Sequence, residues 1–144
     1  MRVALIETAL DPWQAVQTHQ RCLTPGSYGA TALFVGTMRD FNEGSGVSEL
    51  FLEHYPGMTE RHLVQVAEEA QARWTLIDVL IEHRVGTVYP DDPIVVTAAW
   101  SAHRKDAFEA CRFLMEALKS RAPFWKRETT EQGSRWVERN TAGY

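Results

Sequence analysis

The sequence predicts an α+β fold of largely antiparallel strands with three helices. Three observations carry this. Three stretches of helical length each begin at a capping residue or a turn and show apolar residues three and four apart. The strand-like runs between them do not alternate strictly with helices, as a parallel doubly wound sheet would require. The chain closes on two short strand-like runs around Gln132-Gly-Ser134, which suits a hairpin. With 144 residues the chain has the size of one ordinary domain, and the reading is a single domain over 1–144.

Taken in order, Arg2 to Leu10 reads as the first strand. Asp11 reads as an N-cap with Pro12 in the first helical position, starting a helix that runs to about Cys22. Leu23-Thr-Pro-Gly-Ser27 is a loop, and Ala30 to Met38 a strand. Arg39-Asp-Phe-Asn-Glu-Gly-Ser-Gly46 is polar and glycine-rich and reads as a mobile loop. Glu49 to His54 is a strand ended by Pro56-Gly57. Thr59 is the expected cap of a second helix, whose apolar face is Leu63, Val66, Ala67, Ala70 and Trp74. Leu76 to Val88 supplies one or two strands, Pro90 to Pro93 a turn, and Ile94 to Trp100 a buried strand. A third helix is expected from about Ala102 to Arg121, capped by Ser101, with Phe108, Cys111, Leu114 or Met115, and Leu118 as its stripe. Phe124 to Thr130 and Arg135 to Glu138 form the closing hairpin.

Composition narrows the function classes. The apolar share is 44% and the charged share 24%, which fits a soluble globular chain. No run approaches the ~20 apolar residues of a membrane helix, and no signal peptide is evident. Cys22 and Cys111 are too few for a disulfide framework or a zinc site, so a reduced cytoplasmic setting is expected. The net charge of −4 is unevenly spread. Residues 101–127 hold seven cations against three acids, a surplus of +4, which leaves −8 for the remainder. Such a pattern points to a local anion site and away from a general nucleic-acid surface. A helix whose solvent face happens to be basic competes with that reading.

The candidate chemistry concentrates in Leu118-Lys-Ser-Arg-Ala-Pro-Phe-Trp-Lys-Arg-Glu128. Arginine supplies twelve basic side chains and lysine only three, yet two of the three, Lys119 and Lys126, fall here. A lysine amine loses its charge readily when buried and can then exchange protons or attack a carbonyl. Two solvated lysines beside a core aromatic pair is the alternative. Ser101-Ala-His-Arg104 places His103 and Arg104 in an expected first helical turn, where backbone N–H groups and a guanidinium suit a phosphate. Arg39 ends a strand beside a glycine-rich loop, a frequent setting for a ligand clamp and equally for a plain surface residue. His54 and His83 each follow a glutamate in a strand and read as structural, and Cys111 reads as an inert core thiol.

Together these pieces resemble the large (catalytic) subunit of molybdopterin synthase, the MoaE family. The resemblance is carried by Phe34-Val-Gly-Thr-Met-Arg39, Leu52-Glu-His-Tyr-Pro-Gly-Met-Thr59, His83-Arg-Val-Gly86, Ser101-Ala-His-Arg104, Phe108-Glu-Ala110, Leu118 to Glu128 and Arg135-Trp-Val-Glu138, in order over about residues 28–138. It implies an α/β-hammerhead type of fold. It implies a sulfurtransferase that inserts two sulfurs into cyclic pyranopterin monophosphate as a dithiolene. The sulfur would arrive as a thiocarboxylate on the C-terminal Gly-Gly of a small ubiquitin-like partner of the MoaD type. A central homodimer would carry one small subunit at each end, with no metal or organic cofactor. By motif, Lys119 and Lys126 correspond to the catalytic lysines; from its fixed place at the end of the third helix Lys119 is expected to hold the thiocarboxylate, and Lys126 to orient the substrate. Thr37, Met38, Arg39, His103, Arg104, Lys119, Lys126, Arg127 and Glu128 correspond to substrate contacts. Asp40-Phe41 departs from the more basic or polar pair expected there, and any family tail beyond Glu138 is expected to be short.

Two other classes compete. A non-catalytic dimeric module could keep only the groove for the sulfur carrier, and an unrelated phosphate-ester enzyme could use His103 as acid or base. A further expectation is geometric. His103 and Lys119 lie sixteen residues apart on one expected helix, roughly 24 Å at 1.5 Å per residue. That exceeds the length of a pterin monophosphate, so one site would draw on two copies of the chain.

Overall fold

The computed structural model describes residues 1–42 and 45–137. The expected loop position Gly44, and Glu138 at the end of the hairpin, lie outside the described residues. The elements are β1 (Arg2–Ile6), α1 (Pro12–Gln20), β2 (Ala30–Thr37), β3 (Phe41–Asn42), β4 (Ser45–His54), α2 (Met58–Arg73), β5 (Asp78–Arg84), β6 (Gly86–Val88), β7 (Pro93–Ser101), α3 (Arg104–Arg121), β8 (Phe124–Thr130) and β9 (Gly133–Trp136).

The strands form two sheets. The first runs β1-β5-β7-β2, with β1 parallel to β5 and the other pairs antiparallel. Strand alternation sorts its side chains onto two faces. On one face Leu80, Val96, Ala98 and Trp100 pack with Leu10 and Val16 beneath α1. On the other, Val79, Ile81 and Val95 pack with Leu63, Val66 and Ala67 of α2 and Leu114 and Leu118 of α3. The second sheet runs β3-β4-β8-β9, with β6 also paired to β4. Its inner face buries Val47, Leu50, Leu52 and Val88 together with Met38.

Several expected boundaries move, each for a local reason. β1 ends at Ile6, not Leu10, because the Arg84 guanidinium takes the carbonyls of Ile6 and Thr8 and draws the chain out of the ladder. The Arg39–Gly46 segment is partly a ladder: Phe41 pairs with Gly46 and Asn42 with Ser45. The second helix is capped at Gly57, which has φ 82°, and Glu60 reaches back to accept the Gly57 N–H at 2.5 Å. Thr59 is not the cap. Its hydroxyl accepts from the Tyr55 N–H at 2.9 Å and donates to the Pro123 carbonyl at 3.2 Å, tying the start of α2 to the entry of β8.

Ser101 is likewise not the cap of α3. It is the last residue of β7, and its hydroxyl donates to the Thr75 carbonyl at 2.9 Å. His103 occupies the cap position without a side-chain bond, and Arg104 is the first helical residue. The buried stripe of α3 is centred on Ala107, Ala110, Cys111, Leu114 and Leu118, while Phe108 is 67% exposed. Phe108 therefore lies off the stripe, because the small Ala107 and Ala110 take the positions nearest the sheet.

Candidate functional site

The chain between the two lysines explains how they meet. Leu118 anchors the last turns of α3 in the core. The helix stops at Arg121 because Ala122 precedes Pro123, and a residue before proline is pushed out of the helical region; Ala122 sits at φ −75°, ψ 134°. β8 then starts at once and doubles back along β4. Alternation along β8 puts Phe124, Lys126 and Glu128 on the inner face opposite His54, Leu52 and Leu50. Trp125 and Arg127 face outward opposite Glu53 and Phe51. Lys119 and Lys126 thus converge from a helix end and a strand onto one cavity of about 260 Å³.

The opposite wall of that cavity comes from β2 and β7. Phe34, Gly36 and Thr37 line it, as do Ile94 and Val95. The β2–β7 register slips by one residue between Gly36 and Thr37, leaving Ile94 as the extra residue that turns the strand end toward the cavity. A side chain at Gly36 would place its Cβ 2.8 Å from Val95 Cγ1, so glycine is what allows the two strands to meet here.

The electrostatics of the cavity are set by crowding two ammonium groups into partly apolar surroundings. Burial, reinforced by the charge and hydrogen bond of Lys119 and opposed by Glu128, lowers Lys126 from the ordinary lysine range to about 8. Glu128 is buried, and it takes the Arg135 Nε–H at 3.0 Å. His83 also lines the cavity. Its ring stacks on Phe124 at 4.0 Å between centroids and 14° between planes. Burial, and then the charges of Lys126 and Lys119, hold it down at about 4 against the opposing bond to the Arg84 carbonyl. The cavity is therefore cationic and walled largely by apolar residues, and its Lys126 gives up a proton more readily than an ordinary lysine. Those are the properties needed to hold an anion and accept or deliver a proton.

The other candidate residues are distributed unevenly. Thr37 reaches the cavity. Met38 does not: its side chain is buried in the second core, its N–H donates to the Asp92 carbonyl and its carbonyl accepts from the Asp91 N–H. Arg39 follows on the surface. Arg127 lies on the far side of β8 from Lys126, with its guanidinium 5.2 Å from the Phe51 ring centre and 5.8 Å from that of Trp136. His103 and Arg104 are exposed at the opposite end of α3. The helix is continuous from Arg104 to Arg121, which keeps the separation from Lys119 at roughly 24 Å. Cys111 is buried against Thr97 with its thiol pushed up by burial, and Cys22 is an exposed thiol bonded to the Thr18 carbonyl. His54 stands 4.0 Å from Glu60 and does not line the cavity. Among the described residues no cluster of His, Cys, Asp and Glu is arranged to hold a metal, and no helix is long and apolar enough to cross a membrane.

Sequence reasoning missed His83 as a member of the cavity. The available signal was its place two residues beyond Ile81 and four beyond Val79 on the helix-facing side of β5, which puts it at the end of the main core. Phe34 and Met115 also line the cavity and carried no signal beyond apolarity.

Comparison with known proteins agrees with this architecture. The MoaE protein family model matches residues 7–121. The chain is 59% identical over 110 residues to the molybdopterin synthase catalytic subunit of Ralstonia nicotianae, a match that spans 76% of this chain and 62% of that protein. It is 48% identical to the protein of the same name from Pseudomonas aeruginosa, over 96% of this chain and 91% of that one. A solved structure, the molybdopterin biosynthesis MoaE protein from Burkholderia ambifaria MC40-6, superposes with a TM-score of 0.81 at 45% identity, covering 97% of this chain and 91% of that one. The fold is that of proteins of molybdopterin biosynthesis, and the chain belongs to the MoaE family.

Proposed function

We propose that this chain is the catalytic subunit of a molybdopterin synthase and transfers sulfur from a thiocarboxylated carrier to cyclic pyranopterin monophosphate. The observation that carries this reading is the convergence of Lys119 and Lys126 on one cavity, with Lys126 held at about 8. A thiocarboxylate is an anion on a flexible tail, and a narrow cationic cavity suits it. The sulfur attacks an oxygen-bearing carbon of the pterin side chain; the C–S bond forms, that carbon's C–O bond breaks with the oxygen leaving as it takes up a proton, and the carrier stays joined through a thioester. Water then cleaves the thioester, leaving a thiol on the pterin and a carboxylate on the carrier. Lys119 holds the thiocarboxylate and balances the oxyanion that forms when water adds. Lys126, poised between its two protonation states, orients the pterin and exchanges the proton. The relatives' name, catalytic subunit, speaks for a second subunit, and a MoaD-type carrier with a C-terminal Gly-Gly fills that place.

The phosphate of the substrate needs cations besides the two lysines, which are engaged with the thiocarboxylate and the pterin. His103 and Arg104 fit that role but lie roughly 24 Å from Lys119 along a straight helix. A two-fold dimer that brings the start of one α3 to the end of the other resolves this, with Arg39 and Thr37 at the junction. Arg127 and Glu128 then act from β8, Arg127 on the outer face and Glu128 as the counter-charge to Lys126. The test is incubation of the chain with the pterin precursor and a thiocarboxylated carrier, with assay of the dithiolene. Product formation supports the reading. Carrier binding without product would favour a non-catalytic docking module instead.

A further inference from the structure

The connection from β6 to β7 holds one strained residue. In Tyr89-Pro-Asp-Asp92 the Asp92 N–H donates to the Tyr89 carbonyl at 2.9 Å and closes a four-residue turn. Proline in the second position and a positive φ in the third are the marks of a type II turn, whose third position favours glycine or asparagine. Here that position is Asp91, at φ 74°. Among the described residues it is the one non-glycine with a positive φ. Such a conformation is unfavourable for a residue with a Cβ, and it persists where the surroundings enforce it. The Asp92 carboxylate helps to enforce it by accepting the Tyr89 N–H at 2.9 Å.

What the turn grips is the end of β2. The Asp91 N–H donates to the Met38 carbonyl at 3.0 Å, and the Met38 N–H donates to the Asp92 carbonyl at 3.0 Å. Two consecutive residues of the turn thus hold both backbone groups of one residue. The Met38 side chain is held as well, buried at 5% exposure with Val47, Leu50, Leu52 and Val88. Met38 stands between Thr37, which lines the lysine cavity, and Arg39, which follows on the surface. The ladder of β2 with β7 ends at Thr37 and Pro93, just past its register slip. Beyond Thr37 the turn takes over from the ladder in fixing the chain. Asp91 is exposed, and its backbone N–H, not its carboxylate, makes the contact to Met38.

We propose that Asp91 is a positioning residue of the candidate site that acts through its left-handed backbone. That conformation shapes the turn to hold Met38, and so sets where Thr37 meets the cavity and where Arg39 leaves the strand. The purpose rests on the sulfur-transfer reading, in which Thr37 and Arg39 serve the substrate; the grip on Met38 does not. A side chain that resists the left-handed region should loosen the grip whatever its charge. A residue that accepts the region should keep it, with or without a carboxylate.

The experiment separates backbone from side chain. Asp91→Val and Asp91→Gly both remove the carboxylate, but a β-branched residue avoids positive φ while glycine adopts it freely. Asp91→Asn keeps the tolerance and loses the charge. The first readout, on the full chain alone, is amide hydrogen exchange at positions 38 and 91, the two N–H groups of the grip. Asp91→Val is expected to speed exchange there by roughly tenfold, about the worth of one hydrogen bond, with circular dichroism unchanged. The second readout is steady-state kinetics with the pterin precursor and a thiocarboxylated carrier. Asp91→Val is expected to raise KM for the pterin by roughly tenfold and to leave kcat within about twofold, because both lysines stay in place. Asp91→Gly and Asp91→Asn are expected to restore both readouts to the wild-type level. If Asp91→Val does not fold, Asp91→Ala is read in its place, with the same directions expected. Equal loss in the valine and glycine variants overturns the proposal, since the carboxylate would then be the acting group. Unchanged exchange in the valine variant overturns it too. So does faster exchange with an unchanged KM, which would leave the turn a structural clip. If the wild type makes no dithiolene, the sulfur-transfer reading fails, and the exchange readout alone decides whether Asp91 holds Met38.

Discussion

The two ends of α3 hold the same kinds of residue in opposite circumstances. At its end, Lys119 stands in a walled cavity with a second lysine, a stacked histidine and a buried carboxylate nearby. At its start, His103 and Arg104 are exposed, and the cap position makes no side-chain bond. One end is an enclosed cavity, and the other is a pair of cations facing outward. The difference teaches that one helix can build a pocket at one end while its cations at the other lie too far away to serve that pocket within the same chain.

Changing the formed end should have the largest effect. Lys119→Ala is expected to lower the rate of dithiolene formation by about a hundredfold or more, with circular dichroism and carrier binding unchanged. A near-normal rate would remove Lys119 from the reaction. At the outward end, Arg104→Ala removes a charge-assisted contact to phosphate. It is expected to weaken the apparent affinity for the pterin by roughly tenfold, with the rate at saturating pterin much less affected. An unchanged affinity would remove Arg104 from the phosphate contact.

A smaller effect sharpens the contrast through stability. Lys126 titrates at about 8 in the folded chain against 10.5 for an ordinary lysine. Between those values the unfolded chain binds the extra proton, so stability rises with pH through that window, and the full penalty is present below it. Lys126→Met is therefore expected to raise Tm at pH 7 by a few degrees, with the gain shrinking toward pH 10.5. Thermal melts at the two pH values decide it, and a lower Tm at neutral pH would show that the ammonium is stabilising. The least effect is expected from Cys22→Ala with Cys111→Ala. Turnover should persist, with a loss of about 1 kcal/mol from the space left at the buried Cys111. Loss of sulfur transfer in the folded double variant would place sulfur on this chain.

Much of this was legible where local chemistry decides. Asp11 and Pro12 start α1 as their types require, and Asp11 accepts the Gln14 N–H at 3.1 Å. The joint role of Lys119 and Lys126 was legible through the family resemblance, and the structure brings them together with a proline that stops a helix and a strand that alternates. What failed depended on partners distant in sequence. Thr59 and Ser101 have the residue types of helix caps, but their hydroxyls serve Pro123 and Thr75, 64 and 26 positions away. Phe108 has the spacing of a core residue, but the sheet meets α3 over its alanines. His83 looked structural because nothing near it in sequence shows that Phe124 and two lysines close over it.

The most direct test of the two-ended helix is complementation. His103→Ala chains and Lys119→Ala chains are each expected to be nearly inactive alone. Mixed under conditions where exchange of copies is demonstrated, they are expected to regain dithiolene formation at the one site of each mixed dimer that has both an intact His103 and an intact Lys119. Exchange without any return of activity would contradict the shared site and require each chain to act alone.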